Sequence, residues 1–256
     1  MTSPNLSSTD FHALTLEIHD ARGSFSHGLA ILRRIRSNTD DIAAVFSLLA
    51  IGAERLLKLT IGLAELVDNR PWPALTKMQA FRHNIVDMDA EARTLLLART
   101  HLSTVPGHLT QAIDMIDNDT TLAIGLDALS RYGSMGRFYY LDHLANAPQP
   151  TPPPRELWDV AEQGIVLSDA EIQRALATPA FAHDAKAAVG TRLSHSLQRW
   201  WQTYQRAWTT NPFGLIGAGW AGELDLFDPQ HPRRQTLTKL DGEPLPDLAK
   251  VGWDAE

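Results

Sequence analysis

The chain has 256 residues, 44% of them apolar, a formal charge of −7 spread over both halves, and no cysteine. That apolar content suffices for a sizeable core. The rest excludes disulfides, thiolate metal sites and the polycationic surface that holds nucleic acid through counterion release. The opening "MTSPNLSSTDF" lacks the basic and apolar regions of a secretory signal. The longest apolar run, residues 42–53, is too short for a bilayer and leads straight into Glu54 and Arg55. A soluble, cytoplasmic protein without a membrane partner is expected.

In chain order, Phe11, Leu14, Ile18, Phe25, Leu29 and Leu32 recur at helical spacing and predict an amphipathic helix over about 10–36. Residues 38–41 offer cap chemistry for a second helix over about 41–67. That helix is apolar nearly all round, as a central element would be. Pro71 and Pro73 then break the chain. A third helix is expected from a start between 74 and 84 to Arg99, with "VPG" at 105–107 ending the segment. A fourth region runs from about Leu109 to "RYGSMGR", and residues 137–145 continue it briefly.

"NAPQPTPPPR" at 146–155 reads as a stiff, extended linker. Its PxxPxR pattern also fits an SH3 ligand, the less favoured reading. Beyond it, "SDAE" at 168–171 predicts a capping box opening a helix to about Ala177. A long helix follows over about 184–208. The expected organisation is all-α: a helical bundle over 1–147, a proline-rich linker over 148–155, a smaller helical extension over 156–208 and an irregular tail over 209–256. Phe213, Trp220, Phe227 and Trp253 suggest that the tail packs onto the rest.

Three motifs look chemical and are better read as structure. "GAGWAG" at 217–222 matches a dinucleotide fingerprint, but Pro229 and Pro232 forbid the long helix that fingerprint needs, so a flexible turn is expected and no cofactor. The helix over 191–208 carries an apolar stripe of Leu193, Leu197, Trp200, Trp201, Tyr204 and Trp208, with Arg192, Arg199 and Arg206 on another side. Because aromatic and basic positions do not share a face, the stripe reads as core or interface and the arginines as a solvated face. His83 and Asp87 have ligand-compatible spacing with no second pair to complete a site, and His12, His19 and His27 drift along a surface, so no metal is expected.

The remaining signal is "RFYYLDH", residues 137–143. Metal-independent RNA cleavage turns the 2′-hydroxyl on the adjacent phosphate, and needs a histidine to move a proton and a fixed cation to hold the growing charge. His143 and Arg137 supply one of each. On a straight helix the six-residue step leaves them about 120° apart, so two copies meeting across a symmetric interface would be needed to form one cleft. The alternative is packing: Tyr139, Tyr140 and Leu141 against the bundle, Arg137 on a helix end or on Asp142, and His143 on a backbone carbonyl.

The segment resembles the HEPN domains, four-helix up-and-down bundles, many of which dimerise and cleave RNA through an Arg-x4-6-His motif near the last helix. "ERLLK" at 54–58 looks like the acidic and basic pair often seen on the early bundle helix, and "FRHNIVDM" at 81–88 is similar to the histidine-containing start of the next one. The resemblance covers about 40–147. It implies a homodimeric endoribonuclease of a toxin–antitoxin or anti-phage system, with an antitoxin or other protein partner and RNA as substrate. Arg137 and His143 would be catalytic, with Arg131, Tyr139, Tyr140, Glu54, Lys58 and His83 in support. The competing expectation is a non-catalytic interaction or dimerisation module that docks through the tryptophan-rich helix.

Overall fold

A computed structural model of the protein describes residues 6–36 and 41–227. The described residues are helical without a strand. The helices are α1 (Ser8–Leu32), α2 (Ile42–Val67), α3 (Leu75–Ala80), α4 (Ile85–Leu97), α5 (Pro106–Asp117), α6 (Thr120–Ser134), α7 (Tyr139–Leu144), α8 (Pro154–Ser168), α9 (Ala170–Leu176), α10 (Ala182–Thr209) and α11 (Gly214–Trp220). Among the described residues no helix is long and apolar enough to cross a membrane.

α1 opens with a capping box in which the Ser7 hydroxyl accepts from the Asp10 amide at 3.1 Å and the Asp10 carboxylate accepts from the Ser7 amide at 3.2 Å. α1 and α2 run antiparallel: Gly28 lies beside Leu49, Gly52 beside Phe25, and Arg55 reaches Glu17 and Asp20. A Cβ at Gly52 would sit 2.8 Å from the Phe25 backbone nitrogen, so only glycine lets the two backbones come this close. α2 is the buried centre, with α4 and α6 also packed on it.

α10 lies across this frame. Its apolar stripe is core: Trp200, Trp201, Tyr204 and Trp208 have no exposed surface. Trp201 stacks on Phe25 with ring centroids 4.6 Å apart, and the Trp208 indole donates to Thr60 Oγ1. The expected docking surface on this helix is therefore filled by the protein's own core, with α1 and α4 among the elements that cover it. Trp158 of α8 meets Phe46 of α2 edge-on at 5.1 Å, so residues 156–208 bury their four tryptophans and Tyr204 in the same hydrophobic cluster as α1–α6.

Several boundaries differ from the sequence expectation. The expected third helix is two, because Arg82 takes a left-handed turn (φ 50°) and Asn84 starts α4 by capping the Asp87 amide. The fourth region is also two, with Asp119 capping the Leu122 amide to start α6. Pro106 begins α5 where an end was expected, since the first helical position needs no amide donor. For the same reason Pro154 is already inside α8, and the last residues of the proline-rich run are helical. The arginine of its PxxPxR pattern, Arg155, pairs with Asp159 at 2.9 Å. Asp169, rather than Ser168, caps α9, accepting from the Glu171 and Ile172 amides. "GAGWAG" forms the end of α11 and a helical turn over Ala221–Leu224, not a flexible turn. Trp220 packs on Phe11 and Glu223 reaches His19, so the tail is fixed to α1 as far as Phe227, while Trp253 lies outside the described residues.

One polar network sits inside the core. Asp89 of α4 is 6% exposed and accepts from the Trp200 indole at 2.7 Å and the Tyr204 hydroxyl at 2.6 Å, while its second oxygen meets Arg93 at 2.7 Å. Arg93 also binds Asp117 of α5. Burial works most strongly against the Arg93 charge, yet Asp89, Tyr204 and Asp117 together raise its pKa; burial, and then Asp89, push the Tyr204 hydroxyl well above its usual value. Removing the carboxylate takes the short-range acceptor from the buried Trp200 indole and Tyr204 hydroxyl and leaves Arg93 with Asp117 alone. Asp89→Ala should therefore lose about 3–5 kcal/mol of stability, read as a lower denaturant midpoint in equilibrium unfolding.

Candidate functional site

The far end of α6 gathers the residues that the sequence singles out. Buried Leu122, Leu126 and Leu129 seat the helix. Tyr132 fixes its last turn, with its ring 5.2 Å from Phe46 and its hydroxyl 2.8 Å from Ser47 Oγ. After Ser134 the chain makes a tight helical turn over Gly136–Phe138 and the six residues of α7. Gly136 is required there: a Cβ would lie 2.2 Å from Pro154 Cγ and 3.0 Å from the Arg131 carbonyl. The returning segment is latched by Gln149, whose amide donates to the Met135 carbonyl at 2.9 Å and to Asp142 Oδ2 at 2.7 Å.

Arg137 and His143 both stand on this segment and are exposed. The Arg137 guanidinium lies over the Tyr132 ring, 5.8 Å from its centroid, a cation–π contact with no carboxylate partner among the described residues. Asp142, the partner considered for it, is occupied by Gln149. Tyr139 is half-buried and meets Tyr140 edge-on at 5.4 Å. Met135, Phe138, Tyr140, Leu141 and Leu144 are 57% to 76% exposed. Apart from Tyr139, the aromatic and aliphatic residues expected to pack on the bundle instead face solvent.

Glu54, Lys58 and His83 do converge. Glu54 Oε1 accepts from Lys58 Nζ at 2.6 Å, one helical turn along α2, and Glu54 Oε2 meets His83 Nδ1 at 2.9 Å across to the turn before α4. A carboxylate on Nδ1 fixes the ring and leaves Nε2 for other partners. His83 in turn lies against α6, its Cβ 3.1 Å from where a side chain on Gly133 would begin. Among the described residues no three histidine or acidic side chains are grouped to hold a metal ion.

Between this cluster and the Arg137 segment runs a groove of about 500 Å³, walled by Asn84 and Asp87, by the outer face of α6, and by the extended segment over 149–153 with Pro154 at the start of α8. Arg131 lines it, with Nε on Asp127 Oδ1 at 3.1 Å and Nη1 shielded from water without a partner. Ser130 holds Asn84 in place at 2.9 Å. Arg137, His143 and His83 flank the groove in sequence without lining it. Asn84, Asp127 and Gln149 went unnoticed in the sequence because they come from three separate stretches; the one local signal was Asn84 as a helix cap.

Compared with known protein families, with curated proteins and with solved structures, the chain matches none.

Because the absence of a side chain at Gly136 lets Pro154 at the start of α8 lie against the end of α6, Gly136→Ala should force these segments apart. The expected loss is about 1–3 kcal/mol, as for an overpacked core position, read in chemical denaturation. Gln149 should also lose its two contacts, seen as faster amide-proton exchange in α7.

Proposed function

We propose that the chain is a metal-independent endoribonuclease of HEPN type that acts as a homodimer, with α1, α2, α4 and α6 as its four-helix frame. The observation that carries this reading is the placement of Arg137 and His143 on one exposed segment rich in unburied apolar side chains. A second copy covering residues 135–144 would bury that apolar surface and bring two arginines and two histidines to one cleft. The hydrogen-bonded meeting of the Glu54 and Lys58 pair on α2 with His83 from the turn before α4 adds support.

In this mechanism the RNA supplies its own nucleophile. His143 takes the proton from the 2′-hydroxyl or returns one to the 5′-oxygen, and Arg137 holds the phosphorane charge, so the product ends in a 2′,3′-cyclic phosphate. Tyr139 and Tyr140 offer ring faces to bases, and Arg131 lies in the adjoining groove. The protein would work in the cytoplasm as the toxic half of a toxin–antitoxin or anti-phage pair, held in check by an antitoxin protein.

A second reading, a non-catalytic dimerisation or docking module, is favoured by the same five exposed side chains, now without any role for His143. The two are separated by incubating purified protein with mixed RNA in EDTA. Wild type should cut, while His143→Ala should lose about 10²–10⁴-fold in rate, the usual worth of a general acid or base. Arg137→Ala should lose a comparable factor. Leu141→Glu should convert the dimer to a monomer by light scattering and abolish cleavage with it. A wild type that is inert yet dimerises through Leu141 would favour the docking module and sink the ribonuclease reading.

A further inference from the structure

The outward side of α10 carries a second polar cleft, of about 380 Å³, that shares no lining residue with the Arg131 groove. Arg192, His195 and Arg199 are spaced three and four apart and so fall on one helix face. They look toward Thr121 at the start of α6 and Ser168 and Asp169 at the α8–α9 junction. While Trp200, Trp201 and Tyr204 pin the inner face of α10 in the core, this outer face is held at a fixed distance from two helix starts.

The two arginines are held in position rather than free. Arg192 meets Asp169 Oδ2 at 3.0 Å, and Arg199 meets Asp119 Oδ2 at 2.8 Å. Both aspartates are themselves anchored by the helix amides they cap. Those amides, Ile172 first, hold the Asp169 carboxyl below its usual range. Arg33, from the end of α1, binds the neutral side chains of Ser194 and Gln198. Three guanidinium groups therefore face two carboxylates around His195, and the excess is positive. The imidazole registers that excess: partial burial, then the charges of Arg33, Arg199 and Arg192, hold its pKa below the usual histidine value.

A forked donor on either side and a histidine between them match the oxygens of one tetrahedral anion. We propose that this cleft binds a phosphate group, carried either by an RNA backbone or by a small phosphorylated molecule, between Arg192, His195 and Arg199, with His195 taking up a proton from solvent as the anion seats. The phosphate offsets the positive charges that add to partial burial in disfavouring the imidazolium, so binding and protonation reinforce each other. The sign follows from linkage: a histidine held low when empty and raised when occupied makes binding tighter as pH falls. Binding here does not depend on RNA cleavage and stands or falls independently of the Arg137 and His143 reading.

The test follows the His195 Hε1 resonance, assigned with His195→Gln, while the full chain is titrated with inorganic phosphate or with a 2′-O-methyl RNA hexamer, which cannot be cut. Saturable movement of the resonance and a raised His195 midpoint are expected with both probes. The hexamer, whose diester charge is constant from pH 7.5 to 5.5, should bind about three- to tenfold tighter at the lower pH, equivalent to half to one unit in the histidine midpoint. A hexamer that saturates at a tenfold or greater dilution than phosphate assigns the cleft to a strand; equal affinities assign it to a small phosphorylated ligand. Arg192→Gln with Arg199→Gln should abolish the response, and Arg192→Lys with Arg199→Lys should retain part of it with an unchanged unfolding midpoint. A His195 resonance that neither probe moves in wild type, or that the lysine and glutamine pairs leave equally responsive, overturns the proposal.

Discussion

A single buried carboxylate sets the distance between the two halves of this molecule. Asp89 receives the Trp200 indole, the Tyr204 hydroxyl and Arg93, and so ties α4 to α10 at a point where neither could otherwise bury polar groups without cost. The tie has consequences at both ends. One turn upstream, the start of α4 presents Asn84 and Asp87 to the groove beside α6 and leads back to His83. On the opposite face, the orientation of α10 that the tie selects is the one that turns Arg192, His195 and Arg199 outward. An apolar replacement of the same volume would match the burial but not the angle, since dispersion is far less directional than three hydrogen bonds.

The division of labour between apolar and polar contacts is uneven along the chain. α2 is buried on most of its faces against α1, α4 and α6, with polar ties such as Arg55 to Asp20 along its edge. The end of α6 is held by few and specific contacts: the Tyr132 hydroxyl on Ser47, Gly136 against Pro154, and Gln149 reaching two acceptors at once. Local stability follows contact density, and the segment with Arg137 and His143 therefore belongs to the part of the protein that opens most readily.

The long helices were legible in the sequence for a plain reason. α1, α2 and α10 carry apolar stripes over more than five turns, and such a stripe has few alternatives to burial. The breaks inside the middle of the chain were not legible, because periodicity continues on both sides of Arg82 and of Asp119, and a single left-handed residue or cap changes direction without disturbing the pattern. Prolines misled in the opposite direction: Pro106 and Pro154 look like stops and are starts. Of the candidate site, Arg137 and His143 were readable because they share one short stretch. The contact of Glu54 with His83 was reachable only through the resemblance, and the Arg131 groove was hidden because no stretch of sequence contains more than part of its wall.

The stacking of Trp201 on Phe25 spans most of the chain. A ribosome adding about 5–20 residues per second takes on the order of ten to thirty-five seconds to travel that interval. Once α2 is finished at Val67, the α1–α2 hairpin is complete as a pair but still bare where Trp201 will cover Phe25. The nascent protein therefore passes through a long stage in which its first two helices offer a wide apolar surface to whatever is nearby. Chaperone engagement of this chain should be concentrated in that interval and should end when the tryptophans of α10 emerge.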